Sequence, residues 1–270
     1  DGCCDMRFHY FDEGPDDSEH TFLCLHGEPT WAFLYRKMVP VFLEAGGRVV
    51  APDFFGFGRS DKPAEDEVYS FDFHRDTIVR VIDTLDLRNI TLVCQDWGGL
   101  AGLTIPMEMP ERFERLIVMN TAIATGQSPG EGFENWRDFV RSQPDLDVGA
   151  LLERGTPTGL SADEIRAYDA PFPDQSYKAG VRTFPEIVPT SPDDPGAEAG
   201  RRAARWFTEE WNGPTFMAIG EQDPVLGPPV MEQLRETICG CPEPLRISDA
   251  GHFVQERGEF VARKALAYFG

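Results

Sequence analysis

Leu92-Val93-Cys94-Gln95-Asp96-Trp97-Gly98-Gly99 is the stretch that decides the fold of this chain. The apolar, β-branched run from Ile90 to Cys94 predicts a buried strand, and the two glycines open a helical stretch. A strand, a sharp turn and a helix in this order are typical of a nucleophile elbow, where small residues let the two backbones approach closely. The residue at the tip of the predicted turn is Asp96.

A carboxylate at the tip of such an elbow, where serine is the usual residue, has its own chemistry. Asp96 is ionised at neutral pH and needs no base before it attacks. It suits attack on an electrophilic carbon that carries a leaving group, and the product is an ester on the protein. An aspartate before a helix is also a common N-cap residue. The motif alone therefore leaves both interpretations open.

The composition favours one large α/β domain with an insertion. The chain has 270 residues, of which 41% are hydrophobic, and this is enough for a sizeable core. Its formal net charge is -21, with 46 acidic and 25 basic residues, which argues against nucleic acid and anionic membrane surfaces as partners. No run approaches the roughly 18 apolar residues of a transmembrane helix. We expect a cytoplasmic monomer.

The six cysteines predict neither a metal site nor a disulfide framework. Cys24 and Cys94 lie inside apolar runs and are predicted to be buried free thiols. Two further pairs, Cys3-Cys4 and Cys239 with Cys241, have no zinc-like partners nearby in the sequence, so ordinary thiols are the favoured interpretation.

Strand and helix patterns alternate at both ends of the chain. Residues 1–123 and 196–270 are predicted to form a main domain with a mostly parallel central sheet and helices on both faces. In residues 124–195 the strand pattern disappears, and proline, glycine, aspartate and aromatic residues become frequent. We interpret this segment as an inserted helical cap, or lid. Ligands of such sheets bind at the carboxyl ends of the strands.

Three local predictions concern the first half of the chain. A weak alternation predicts a strand from Arg7 to Asp12. A single helix is predicted from Phe33 to Ala45, where Gly46-Gly47 stops it. The helix that follows the elbow is predicted to reach about Glu108.

Three candidate catalytic residues each follow a predicted strand, in three separate loops. Asp96, Asp223 and His252 come in the order nucleophile, acid, histidine, which is the α/β-hydrolase order. His252 is chosen because it alone among the five histidines follows the last strand and has glycine beside it. The strand ending at Met119 is followed by Asn120, which cannot ionise, so Asp223 is the favoured acid. Solvated loop charges are the interpretation of the carboxylates near the histidine, Asp249 and Glu256.

Backbone N–H groups from two loops are expected to stabilise the oxyanion formed when water attacks the Asp96 ester. One belongs to Trp97 and the other to Glu28, although His26-Gly27-Glu28-Pro29 is also compatible with a plain turn. The indole of Trp97 should lie beside the reacting carbon and is a donor only, which suits a leaving halide. A second donor is expected from the lid. Trp136 is the best candidate, and the alternative is that it only packs in the lid core.

The chain resembles the haloalkane dehalogenases, in particular the subfamily typified by the 1,2-dichloroethane-degrading enzyme. The similarity covers the main domain and the lid, in His26-Gly27-Glu28-Pro29-Thr30-Trp31, Pro52 to Pro63, Val93 to Gly99, Gly132-Phe133-Glu134-Asn135-Trp136, Ala170-Pro171-Phe172-Pro173, Phe184-Pro185, Gly220 to Gly227 and Ala250 to Glu256. Relative to that family, we expect a leading edge strand to be absent and the lid to be shorter.

The resemblance implies a complete set of site residues. Asp96 is the nucleophile, His252 the base and Asp223 its acid partner. Trp97 and Trp136 bind the halide, and Glu28 and Trp97 form the oxyanion hole. The implied pocket is lined by Phe133, Phe172, Phe184, Pro185, Val188, Val225 and Leu226. A small halogenated alkane and water are converted to an alcohol, halide and a proton, with no metal or organic cofactor.

Two rival functions stay open at this point. An epoxide hydrolase also uses an elbow aspartate, but its alkoxide product needs acids from the lid, typically two tyrosines, and Tyr168 and Tyr177 are available. A non-catalytic ligand-binding member of the same fold is the second rival. Such proteins tend to lose a member of the triad, whereas all three candidates are present here.

Overall fold

The computed structural model describes residues 6–15 and 17–270. Within these residues one seven-stranded sheet has the order β1-β3-β2-β4-β5-β6-β7. The strands are β1 (Tyr10–Glu13), β2 (Thr21–Leu25), β3 (Arg48–Pro52), β4 (Ile90–Gln95), β5 (Phe113–Met119), β6 (Thr215–Gly220) and β7 (Leu245–Ile247). Only β1 is antiparallel to its neighbour. The predicted mostly parallel sheet is confirmed.

The central strands are buried on both faces. Every residue of β2, β4 and β6 is buried, which explains why their sequences read as continuous apolar runs rather than alternating ones. Leu92 of β4 pairs with Leu23 of β2 on one side and Leu116 of β5 on the other. The elbow therefore projects from the middle of the sheet, supported by strands on both sides.

Ten α-helices cover the sheet and fill the segment between β5 and β6 in the described part of the chain. They are α1 (Val39–Glu44), α2 (Phe71–Thr84), α3 (Trp97–Gly102), α4 (Glu131–Ser142), α5 (Val148–Arg154), α6 (Ala162–Asp169), α7 (Ala179–Thr183), α8 (Ala197–Glu209), α9 (Pro228–Thr237) and α10 (Gly258–Phe269). Ser70 caps α2 by accepting a hydrogen bond from the Phe73 N–H. None of these helices is long and apolar enough to cross a membrane.

Three of the predicted boundaries differ from the structure. The single helix expected over residues 33–45 is a 3-10 turn, Ala32–Tyr35, followed by α1, because Pro40 lacks an N–H and is accommodated in the first turn of a new helix. The helix after the elbow ends at Gly102, four residues before Pro106. The first strand is shifted by one to three residues, to β1.

The segment between β5 and β6 is helical. Every residue from 120 to 214 is described, and none of them lies in a strand. This segment carries α4 to α8, and α8 packs against α9 of the sheet layer. Cys24 and Cys94 are buried free thiols, as predicted, whereas Cys3 and Cys4 lie outside the described residues.

Candidate active site

The elbow has the tight geometry that its glycines require. Asp96 has φ 50° and ψ -126°, a backbone conformation that costs free energy for any residue with a side chain. A Cβ on Gly98 would lie 1.9 Å from the Leu25 carbonyl oxygen, and one on Gly99 would lie 2.1 Å from Thr121 Oγ1. Strand, turn and helix are thus packed so closely that only glycine fits at both positions.

The carboxylate of Asp96 is held between the backbone and the histidine. Its Oδ1 accepts a hydrogen bond of 2.8 Å from the backbone N–H of Glu28, and its Oδ2 lies 3.6 Å from His252 Nε2. Burial raises the pKa of Asp96, and this is opposed by the His252 charge and by the backbone N–H groups of Trp97 and Glu28. Both N–H groups expected to form an oxyanion hole therefore act on this carboxylate.

Asp223 holds the imidazole and is itself fully hydrogen bonded. Its Oδ2 lies 2.8 Å from His252 Nδ1 and accepts a 2.9 Å bond from Asn120 Nδ2. Its Oδ1 accepts bonds of 2.8 Å and 3.1 Å from the backbone N–H groups of Val225 and Leu226. Burial alone would raise the pKa of Asp223, but the His252 charge and these hydrogen bonds hold it below the usual value.

His252 sits between two carboxylates, and this controls its protonation. Burial lowers its pKa, but the charges of Asp223 and Asp96 and the hydrogen bond to Asp223 outweigh burial and raise the pKa to about 9. Because Asp96 supplies part of this effect, neutralising Asp96 as an ester would lower the histidine pKa. The imidazole would then accept a proton less tightly than it does beside the ionised Asp96.

An apolar cavity of about 270 Å³ opens directly above Asp96. Of the seven residues that the resemblance implied for the pocket, five line it, namely Phe133, Pro185, Val188, Val225 and Leu226. Trp97 and Trp136 also line it. Neither indole N–H has a hydrogen-bond partner in the part of the chain that the structure describes. The cavity thus combines apolar walls with two free donors.

Phe172 and Phe184 do not line this cavity, in contrast to what the resemblance implied. The fully buried ring of Phe184 lies 4.7 Å from the Trp97 ring and 4.5 Å from that of His74. Phe172 packs edge-on against Phe57 at 6.2 Å. Both rings pack against other aromatic side chains behind the cavity, and Phe184 contacts the ring of Trp97 there.

The two tyrosines considered for epoxide chemistry also lie elsewhere. Tyr168 is fully buried, donates its hydroxyl to Glu256 at 2.5 Å and accepts a bond from Arg36 at 3.0 Å. Tyr177 is 43% exposed. Neither residue lines the cavity, so no phenol faces the position where an alkoxide would form.

Sequence reasoning missed two polar residues at the strand ends. Asn120 follows β5 and brackets Asp223, since its Nδ2 also donates to the Gly220 carbonyl and its Oδ1 accepts from the Gly220 N–H. Gln95 ends β4 and contacts His252. Their positions at the strand ends could have indicated a role in the site, because the carboxyl ends of neighbouring parallel strands meet at the same edge of the sheet.

The side chain of Glu28 is a third feature that the sequence did not show. Its Oε1 is buried and has no hydrogen-bond partner. Burial and the nearby Asp96 charge raise the pKa of Glu28 well above its usual value. Both effects favour the neutral carboxylic acid form of this group in the cavity wall. No cluster of His, Cys, Asp and Glu among the described residues could hold a metal ion.

A mostly parallel sheet, an elbow aspartate and a histidine–aspartate pair at the strand ends define an α/β-hydrolase with a carboxylate in the nucleophile position. Residues 20–259 match the family model described as the alpha/beta hydrolase fold.

Comparison with known proteins narrows this class. The chain is 47% identical over 269 residues to a haloalkane dehalogenase of Psychrobacter cryohalolentis, which covers 98% of this chain and 88% of that protein. It is 43% identical to one of Mycolicibacterium paratuberculosis, over 97% of this chain and 87% of the relative. The solved tetrameric structure of haloalkane dehalogenase DpaA from Paraglaciecola agarilytica NO2 superimposes with a TM-score of 0.95 at 55% identity, covering 97% and 88% of the two chains.

The chain belongs to the haloalkane dehalogenases. It is an enzyme that hydrolyses carbon–halogen bonds of haloalkanes, and the predicted function is confirmed at this level. The epoxide hydrolase alternative is not favoured by any of these relatives.

Proposed function

We propose that Asp96 is the nucleophile of a two-step dehalogenation in which His252 serves only the second step. One observation supports this most directly. The Asp96 carboxylate is held by backbone N–H groups at the floor of an apolar cavity whose wall carries two unpaired indole donors. A carboxylate placed in this way can attack without a base, and the cavity can receive an anion that needs donors but no proton.

In the first step an Asp96 oxygen forms a bond to the sp³ carbon as the carbon–halogen bond breaks. The halide leaves with the bonding electron pair. Trp97 and Trp136 donate their indole N–H groups to it, and the apolar walls keep water from competing for these donors. The result is a neutral alkyl ester of Asp96 and a bound halide ion.

In the second step His252 Nε2 takes a proton from water, and the hydroxide attacks the carboxyl carbon of the ester. The oxyanion is stabilised by the backbone N–H groups of Glu28 and Trp97. Asp223 stabilises the imidazolium and fixes its orientation. When the bond to the alkyl oxygen breaks, that oxygen receives a proton from the imidazolium. The alcohol leaves, the regenerated carboxyl group ionises, and one proton is released per turnover.

We further propose that residues 124–195 act as the cap of this site. Cavity-lining residues from α4 and α5, among them Phe133, Trp136 and Leu151, and residues such as Pro185 further along, come from this segment. Asp96, Asp223 and His252 come from the strand ends below. The cap thus supplies one halide donor and most of the apolar walls, and the sheet supplies the reacting groups.

The decisive experiment is to remove the base and retain the nucleophile. His252→Phe, incubated with 1,2-dibromoethane at mildly alkaline pH so that Asp96 stays ionised, should release one bromide per active site and then stop. Its intact mass should rise by one bromoethyl group, located on the peptide that contains Asp96. His20→Phe is the matched control. His20 lies away from the cavity, beside Glu114, and this variant should turn over continuously without a mass increase.

Two results would reject the assignment. An unmodified mass with no bromide burst, for both 1,2-dibromoethane and 1-bromobutane, would mean that Asp96 cannot attack without the histidine. An adduct with an epoxide but with neither bromoalkane would move the chemistry to epoxide opening.

The assembly of the chain is a separate question. The sequence predicts a monomer, whereas the DpaA relative at 55% identity is tetrameric. This relative favours a tetramer of the present chain over the predicted monomer. Light scattering coupled to gel filtration distinguishes a 30.2 kDa particle from one of four times that mass.

We also propose a cytoplasmic location. The four cysteines in the described residues, Cys24, Cys94, Cys239 and Cys241, are all free thiols, which suits a reducing compartment. Immunodetection in fractionated source cells is the test, and recovery in an extracytoplasmic fraction would contradict it.

A further inference from the structure

Gln95 is a buried polar residue in direct contact with the catalytic imidazole. It ends β4, immediately before Asp96, and is fully buried. Its Nε2 lies 2.9 Å from His252 Nε2 and 3.2 Å from the backbone carbonyl oxygen of the same residue. Its Oε1 is buried with no hydrogen-bond partner. Both contacts of the Gln95 amide nitrogen are therefore with His252, and the amide oxygen Oε1 has no partner.

The carbonyl oxygen of His252 determines which way this amide points. A carbonyl oxygen can only accept, so the amide NH₂ must face it. Turning the amide around would bring Gln95 Oε1 against that oxygen and would remove a hydrogen bond. The second N–H of the same NH₂ group is then directed at the imidazole Nε2. That nitrogen can accept only if it carries a lone pair rather than a hydrogen.

The other imidazole nitrogen is bound in the complementary way. His252 Nδ1 donates to Asp223 Oδ2 at 2.8 Å. An imidazole that donates from Nδ1 and accepts at Nε2 is the neutral tautomer which a general base requires. Gln95 and Asp223 thus select the same tautomer from opposite sides of the ring.

We propose that Gln95 is a positioning residue for the second half-reaction, and that its amide N–H, by donating to the Nε2 lone pair, holds His252 as the neutral tautomer until water takes the place of that donor. The inference rests on the two-step mechanism proposed above and adds to it the group that prepares the base. Water exchanges with the Gln95 N–H at Nε2, while the bond to the His252 carbonyl keeps the amide in place.

The charged groups around the imidazole act in the opposite direction. Asp223, from the loop after β6, and Asp96, from the elbow, both favour the imidazolium. Glu28 faces Asp96 from the loop after β2, and Arg154 of α5 lines the outer part of the cavity. Alkylation removes the Asp96 charge but not that of Asp223. In the ester intermediate, burial and Gln95 both disfavour the cation, and Gln95 does so because two donors would then face each other.

The test is the pH dependence of ester hydrolysis. Enzyme is mixed rapidly with 1,2-dibromoethane, quenched, and assayed by mass spectrometry for the alkylated form at a series of pH values. A neutral base makes hydrolysis faster as pH rises, with its midpoint at the histidine pKa of the intermediate. Gln95→Met removes the donor to the neutral form, so the midpoint should move up by about one pH unit, as expected for one lost hydrogen bond. The bromide burst should be unchanged.

The chain offers a matched control and a second variant. Gln255 is also fully buried with an unpaired Oε1, but its Nε2 contacts the Tyr35 hydroxyl at 3.4 Å and not the imidazole. Gln255→Met should leave the midpoint where it is. Gln95→Glu keeps the size of the side chain and, when ionised, cannot donate, so its midpoint should rise at least as far as that of the methionine variant. If Gln95→Met does not fold, the pH midpoint of Gln95→Glu tests the inference in its place.

The outcomes separate cleanly. An unchanged or lowered midpoint in a folded Gln95 variant overturns the inference, even if hydrolysis is slower at every pH, because uniform slowing is what a purely structural residue would give. Absence of any bromide burst or adduct in the parent enzyme would instead reject the two-step mechanism itself. The tautomer can be checked without turnover at a pH above the resting His252 pKa of about 9, where ¹⁵N chemical shifts distinguish a hydrogen on Nδ1 from one on Nε2, and a hydrogen on Nε2 would contradict the inference.

Discussion

Glu28 takes part in the site through its backbone, while its side chain stays uncharged. The backbone N–H binds Asp96 Oδ1 at 2.8 Å, and the buried carboxyl group has a raised pKa. An ionised Glu28 would place a second negative charge beside Asp96 and would oppose the arrival of a halide. The raised pKa of Glu28 favours the neutral side chain, which suits a cavity that in the proposed mechanism holds both a carboxylate nucleophile and an anionic product.

The variant Glu28→Gln tests this separation of roles. The substitution replaces a carboxylic acid by a neutral amide of the same size and leaves the backbone N–H unchanged. Steady-state bromide release near neutral pH should therefore stay within about threefold of the parent, a smaller change than the roughly 1 kcal/mol of one lost hydrogen bond. As pH rises through the raised Glu28 pKa, the parent should lose activity because the carboxyl group ionises, and the variant should not. A large loss of activity at neutral pH would mean that the proton of Glu28 is used in the reaction.

In the proposed mechanism, Asp96 and His252 make the two half-reactions respond differently to acid. The raised pKa of Asp96 means that alkylation should fail at a higher pH than an ordinary carboxylate would suggest. The charge of Asp96 helps to raise the His252 pKa in the resting enzyme, so hydrolysis should titrate below the resting value of about 9. These directions follow from contacts between three loops, and no single stretch of sequence contains them.

At the scale of elements, one cluster of ion pairs joins the main sheet layer to the helical segment. Glu256 lies in the 3-10 turn Val254–Arg257, just after His252, and is nearly fully buried. It accepts two hydrogen bonds from Arg36, one from Lys37 and one from Tyr168 of α6. Arg36 also pairs with Glu164 of α6. The sequence interpretation of Glu256 as a solvated loop charge was wrong, because its partners come from distant parts of the chain.

Breaking this cluster should be costly. Burial raises the pKa of Glu256, but its hydrogen bonds outweigh burial and hold the pKa below the usual value. Glu256→Gln leaves Glu164 as the carboxylate that pairs with Arg36, so we expect a loss of about 2–4 kcal/mol in the free energy of unfolding. This is somewhat less than the roughly 3–5 kcal/mol of a fully buried pair, because Arg36 and Lys37 are partly exposed. Urea unfolding monitored by circular dichroism at neutral pH measures it.

The control for that measurement is a surface pair on α10. Glu259 pairs with Arg263 across one exposed helical turn, and Glu259→Gln should cost less than about 1 kcal/mol. The difference between the two variants should disappear on acidification through the Glu256 pKa, because a depressed carboxyl pKa contributes stability only above it. Equal losses for both variants at neutral pH would show that the cluster does not join the two layers.

The elements themselves were largely predictable from sequence, and the exceptions have physical causes. Buried parallel strands show as apolar runs, and Ser70, which caps α2, is a residue type typical of helix starts. The early end of α3 could not be predicted from the sequence. The glycines of this helix allow its close approach to Leu25, and they do not indicate where the helix ends. Phe172 and Phe184 were assigned to the pocket by resemblance, and only the packed structure shows which rings fill the layer behind it.

At the scale of the whole molecule, the charge is strongly unbalanced. The chain has 46 acidic and 25 basic residues, and many of its arginines are already paired with carboxylates. The excess carboxylates repel one another in the compact state more than in the extended one. This repulsion is long-ranged and is screened by salt, whereas the buried clusters are screened much less.

The melting temperature should therefore rise as NaCl increases from a few millimolar to about one molar, where the screening length is roughly 3 Å. Differential scanning calorimetry measures the rise. Binding of chloride in the cavity could also stabilise the fold, so Trp136→Phe serves as the control. Screening predicts the same slope in both proteins, and binding predicts a smaller slope in the variant. A flat or falling curve would mean that the favourable ion pairs dominate the charge balance.

The backbone of Asp96 has a consequence for how such a chain changes over generations. A side chain at φ 50° and ψ -126° is held against its conformational preference, and its carboxylate is buried as well. Glycine adopts that conformation freely. Asp96→Gly would thus abolish the chemistry and relieve strain at the same position. Such a substitution loses the hydrogen bond from the Glu28 N–H but removes the strained backbone and the buried charge, so the fold itself does little to preserve an aspartate at this position.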